Sequence, residues 1–123
     1  MRAASVWQSF RFAFAGLWHV FRTQRNARIH AAVTLAVVAL GLFLRLSPLR
    51  WAVLALTVGA VLAAEAMNTV VESLVDLVAP TFHPQAKIAK DAAAGAVLVL
   101  AMSAVVVGLL ILGPPLWAIL QPR

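Results

Sequence analysis

The chain has 123 residues, 63% hydrophobic and 11% charged, and its ten Lys and Arg against four Asp and Glu give a net charge of +6. Soluble domains run at roughly 45–50% apolar and about 25% charged, so a water-soluble fold of this size could not bury so much apolar surface. The length suits one membrane domain over 1–123, and the absence of cysteine excludes disulfides, thiolate metal sites and cysteine nucleophiles.

Residues 5–22 come first. Val6, Trp7, Phe10, Phe14, Leu17, Trp18 and Phe21 recur at helical spacing, with Gln8, Arg11, Ala15, His19 and Arg22 on the other side. This predicts an amphipathic helix lying in the membrane interface, within a surface region 1–28. Arg recurs up to position 28, which argues against a signal peptide. Residues 29–46 predict the first transmembrane helix. Its uncharged core, 31–44, is short of the roughly 20 residues a span needs, so His30 and Arg45 are read as membrane-edge residues that snorkel. Ser47-Pro48 marks a turn. The second span, 51–79, starts at Trp51, an interfacial anchor, and Pro80 ends it. Residues 80–91 read as a polar loop in which Pro84 opens the next helix. The third span is 92–112; Gly113-Pro114-Pro115 is expected to break it, leaving Trp117 at the interface.

The fold class is therefore an all-α membrane protein, one surface helix plus three transmembrane helices. Arg2, Arg11, Arg22, Arg25 and Arg28 precede the first span and Lys87 and Lys90 sit in the later loop, so one side holds seven of the ten cations. By the positive-inside rule that side is cytoplasmic, and the expected location is the bacterial inner membrane. Arg45, Arg50 and Arg123 flank apolar segments. The distribution suits an anionic lipid surface and excludes a nucleic-acid partner, for which no soluble scaffold is visible.

The second span ends in EAMNTVVESLVDLV, 65–78. Glu65, Asn68, Glu72 and Asp76 are spaced +3, +4, +4 and fall within an arc of roughly 80° on one helix face, a stripe about 16 Å long. A charge at mid-bilayer costs about 2.5–3.5 kcal/mol, and an intramembrane ionisable residue is a functional hypothesis by default. A carboxylate at the hydrocarbon edge could take a proton from a lipid hydroxyl held at that depth. Carboxylates nearer water suit Mg²⁺, which binds through one or two of them plus substrate phosphates, and Lys87 and Lys90 offer point charges to phosphate. Together these features suggest phosphoryl transfer to a membrane lipid alcohol. No G-x-x-x-x-G-K-[ST] or G-x-G-x-x-G loop is present.

On these residues the chain resembles the small bacterial integral-membrane diacylglycerol kinases, including the undecaprenol kinase branch. The matching stretches are RNARIH (25–30), EAMNTVVESLVDLV (65–78) and HPQAKIAKDAAAGAVLVL (83–100); residues 10–16 resemble the family's surface helix, and the resemblance covers about 9–112. It implies a homotrimer with composite sites between subunits and transfer of the ATP γ-phosphate, with Mg²⁺ as cofactor, in phospholipid or lipid-carrier metabolism. On matching positions Glu65 would be the general base and Glu72 a metal ligand. Asn68, Glu72, Asp76, His83, Lys90 and Asp91 would line the nucleotide site, with Arg25, Asn26, Arg28 and Lys87 as further candidates. Two positions depart from the pattern. Gln24 stands where relatives carry an acid that helps hold metal, and Phe12 where they often carry Tyr or His. RNARIH and HPQAKIAKD look closer to the undecaprenol kinase branch, which ranks a polyprenol ahead of diacylglycerol. Two other classes stay open: a small proton-coupled exporter using Glu65, and a non-catalytic assembly subunit.

Overall fold

A computed structural model of the chain describes residues 5–122; Arg2 and Arg123, used above in the charge count, lie outside the described residues. Four helices follow one another: α1 (Val6–Thr23), α2 (Arg25–Leu44), α3 (Pro48–Val78) and α4 (Pro84–Leu120). The last three are long and apolar enough to cross a membrane. At 1.5 Å per residue α2 is about 30 Å long, the thickness of a hydrocarbon core, whereas α3 is about 46 Å. The surplus length of α3 carries Glu72 and Asp76 beyond the α2 start.

Local signals explain each boundary. Ser5 caps α1, accepting from the Gln8 amide at 3.3 Å. At Gln24 the backbone turns extended (φ −100°, ψ 116°), separating α1 from α2. Ser47 caps α3 with Pro48 in its first turn, and His83 caps α4 with Pro84 in the same position, where the missing N–H costs nothing.

The α2–α3 corner is a Schellman motif. Arg45 adopts φ 52°, ψ 55°. Its N–H donates to Leu42 O, and the Leu46 N–H donates to Gly41 O, both at 3.3 Å. Leu46 folds back over Gly41, and the Trp51 ring covers the same spot. A Cβ at position 41 would sit 2.7 Å from Trp51 Cη2 and 3.1 Å from Leu46 Cδ1. Gly41→Val should therefore lower stability by about 1–3 kcal/mol through overpacking, offset only in part by the gain over glycine in a helix interior, which for β-branched valine is below about 1 kcal/mol. Thermal unfolding in micelles measures the difference; an unchanged midpoint would mean that Trp51 swings aside freely. Leu46, Leu54 and Leu112 form the buried cluster at this end, with Trp51 packed on it, so the anchor expected at the interface is also a core residue.

Two expectations need correction. The proposed loop 80–91 is helical from Pro84 onward, so Lys87, Lys90 and Asp91 belong to the first two turns of α4. α4 also runs through Pro114 and Pro115 to Leu120 instead of breaking at Gly113. The residue before a proline normally resists the α region because its Cβ meets the ring; Gly113, ahead of Pro114, has no Cβ, and apolar helices tolerate proline where neighbouring groups and local adjustments re-satisfy the freed carbonyls.

α3 and α4 make the most extensive helix pair, and α2 packs more lightly on both. No residue of α1 is buried, and Trp7, Phe14 and Trp18 are all exposed. Few apolar side chains anywhere in the described chain are enclosed, so lipid or further protein must cover the rest.

Candidate functional site

The four stripe residues behave differently along α3. Glu65 is 1% exposed and Asn68 9%, Glu72 is half-buried, and Asp76 is exposed. Burial thus falls away toward the end of the helix, as the stripe geometry requires.

Each stripe carboxylate meets a partner from another helix or segment. His30, from α2, places Nε2 3.2 Å from Glu65 Oε1, although the angle is not that of a hydrogen bond and Oε1 has none among the described residues. Gln24, at the α1–α2 break, donates from Nε2 to Glu72 Oε2 at 3.4 Å, and Asn68 donates from Nδ2 to Glu72 Oε1 at 3.2 Å. Lys90, from α4, bridges to Asp76. Lys87 and Asp91 pair with each other one turn apart on α4.

Two cavities meet here. The smaller, about 290 Å³ and the more polar of the two, has Asn26, His30, Glu65 and Asn68 on its wall beside Ile29 and apolar residues of α4. The buried Oδ1 of Asn68 and Oε1 of Glu65 have no hydrogen-bond partner among the described residues, so two unsatisfied acceptors lie in the residues around one space. An apolar groove of about 510 Å³ runs between α2, α3 and α4 as far as Leu116, and shares Ile29, His30 and Ala101 with the polar cavity. A buried acid in a cavity that adjoins an apolar groove through Ile29, His30 and Ala101 is an arrangement that suits an amphiphile, tail in one and head in the other.

The family description "Prokaryotic diacylglycerol kinase" matches residues 11–112. The chain belongs to that family. A diacylglycerol kinase of Synechocystis sp. is 48% identical over 119 residues, covering 96% of this chain and 68% of that protein. An undecaprenol kinase of Bacillus subtilis is 44% identical over 109 residues, 89% of each chain. These matches favour neither the exporter nor the assembly subunit.

In this prokaryotic diacylglycerol kinase family member, the structure gathers some sequence candidates and leaves others apart. Asn26, Glu65 and Asn68 line one cavity, and Glu72 is tied to Asn68 and Gln24. His83 is not in that cavity; its Nδ1 accepts from the Gln85 amide at 3.1 Å and caps α4. Arg28 donates to Arg22 O at 2.8 Å, closing the C-terminal turn of α1. Arg25 is exposed, as is Phe12.

The residue that sequence reasoning missed is His30, read as a membrane-edge side chain and found against Glu65. The signal was the corner. Counted outward from it, His30 lies about 21 Å along α2 and Glu65 about 26 Å along α3, nearly the same level on adjacent antiparallel helices.

For Mg²⁺ the donor chemistry fits in part. Among the described residues no cluster of three or more His, Cys, Asp or Glu surrounds a common point. Glu72 nevertheless offers a carboxylate and Gln24 an amide whose oxygen comes to Glu72 after a half-turn of the group. Hard oxygen donors of this number suit an ion that takes its remaining ligands from phosphate and water.

Proposed function

We propose that this lipid kinase transfers the γ-phosphate of Mg-ATP to the hydroxyl of a membrane lipid, undecaprenol or diacylglycerol, with Glu65 as the general base. The observation that carries the reading is the enclosed Glu65 carboxylate in the wall of the polar cavity, beside His30, which lines both that cavity and the apolar groove. The lipid tail would occupy the groove and present its hydroxyl to Glu65. Glu65 takes the hydroxyl proton as the oxygen attacks the γ-phosphorus; the bond to the bridging oxygen breaks, and ADP leaves with its electron pair.

Glu72, with Gln24, would hold Mg²⁺, whose contribution is to neutralise charge on the phosphates. Asn68 spans the two parts, its amide on Glu72 and its free oxygen buried. Asp76, Lys90 and Asp91, at the protruding ends of α3 and α4, together with the cap residue His83, would receive the nucleotide. Lys90 supplies a point charge there, and Lys87, Arg25, Asn26 and Arg28 flank it.

α1 would lie in the interface with its aromatic face toward lipid, and the protruding ends of α3 and α4 would face the cytoplasm from the bacterial inner membrane. A homotrimer with composite sites accords with the large uncovered apolar surface. It also accords with the separation, within one chain, of the Lys87–Asp91 pair from the Glu65 cavity.

The test is direct. Purified protein in lipid–detergent micelles with Mg-ATP is offered undecaprenol and diacylglycerol separately, and phosphorylated lipid is measured. Product from one acceptor is expected. No product from either, with folded protein at several Mg²⁺ concentrations, would sink the proposal.

A further inference from the structure

We propose that His30 is the positioning partner of Glu65: its imidazole Nε2, at the wall shared by the polar cavity and the apolar groove, holds the carboxylate through Oε1 and fixes its orientation in the polar cavity. The catalytic consequence rests on the lipid-kinase reading above; the pairing itself does not.

The acids of this chain divide cleanly by partner. Asp76 and Asp91 are exposed and meet lysines. Glu72 accepts from two amides. Glu65 is the enclosed one, and the ionisable group beside it is His30, 3.2 Å away with its own side chain 24% exposed. An isolated carboxylate in such a place is strongly disfavoured unless a donor compensates it. His30 is placed to be that donor, because α2 delivers it from the opposite side of the cavity.

Thr34 Oγ1 donates to His30 O at 2.7 Å, and Thr69 Oγ1 donates to Glu65 O at 3.0 Å, the back-bond that Thr23 and Thr57 also make in this chain. The pair is not aligned as a hydrogen bond without substrate; catalytic contacts of this kind commonly tighten when the substrate binds. An edge residue that merely snorkels would not line both cavities, as His30 does.

Two measurements test the inference. In protein labelled with ¹⁵N-histidine in micelles, the His30 ring signals, assigned by their loss in His30→Gln, should move clearly in Glu65→Gln; unchanged signals overturn the pairing. In kinetics, His30→Leu should lower kcat about 10- to 100-fold, the scale set by misplacing a reacting group, with KM for ATP within about twofold. His30→Gln should recover much of that loss, since its amide N–H can also hold a carboxylate. The double variant His30→Leu/Glu65→Gln should be no slower than Glu65→Gln, as for groups that act as a unit. A His30→Leu enzyme at the wild-type rate, a His30→Gln as slow as His30→Leu, or losses that multiply would each overturn the positioning role. Gel filtration of His30→Leu and His30→Gln checks that both fold. If wild-type protein phosphorylates neither lipid, the kinase reading fails, while the ¹⁵N comparison still decides the pair.

Discussion

Glu65→Gln will lower lipid phosphorylation by about 10²–10⁴-fold, the usual contribution of a positioned general base, while leaving the protein folded. The two halves of this expectation have one cause. Glutamine matches glutamate in size, so the 1% exposed site keeps its packing; what disappears is the capacity to accept a proton. Glutamine also keeps an acceptor oxygen toward His30, so thermal unfolding in micelles should occur at about the same temperature. KM for ATP should change little, because in the proposed mechanism Glu65 acts on the acceptor. A variant within about tenfold of wild type would move the base to another residue and leave Glu65 a packing role.

Glu72→Gln has the second largest expected effect, about 10²–10³-fold in kcat, comparable to losing one preorganised charge contact in a transition state. Its dependence on Mg²⁺ separates it from the first variant. Glu72 is the carboxylate that receives the Gln24 and Asn68 amides, so its loss should raise the Mg²⁺ concentration needed for half-maximal rate. Gln24→Glu should do the reverse, because a second carboxylate would stand where the wild-type chain has an amide 3.4 Å from Glu72. Titrating the rate against Mg²⁺ in the three proteins checks both directions. Superimposable titrations would place the ion elsewhere.

Much of this architecture was legible in the sequence because lipid leaves few choices. Long apolar runs become helices, Ser-Pro and His-Pro start them, and the +3, +4, +4 spacing of Glu65, Asn68, Glu72 and Asp76 is a helix face by arithmetic alone. What the sequence did not show were properties of pairs of helices. His30 reads as an edge residue because the sequence gives its distance from the end of an apolar run and not its level against α3. The 80–91 segment reads as a loop because it is polar between two apolar runs, although Pro84 marks a helix start within it. Pro114-Pro115 looks like a stop because the residue before a proline usually resists the α region, a restriction that Gly113, without a Cβ, escapes. Arg45 in a left-handed conformation had no sequence signal, since glycine usually takes that place.

The Schellman corner at 41–46 has a consequence for chemistry at the opposite end of the bundle. α2 and α3 hang from this corner like two scales from a common zero mark, and His30 and Glu65 are graduations read against each other roughly 20–25 Å away. A slip of one residue between the scales would displace one mark by about 1.5 Å and turn it by about 100°, enough to separate a pair 3.2 Å apart. The small residue that lets Trp51 and Leu46 close on the helix thus acts as the zero stop of a vernier, setting the alignment of groups it never touches.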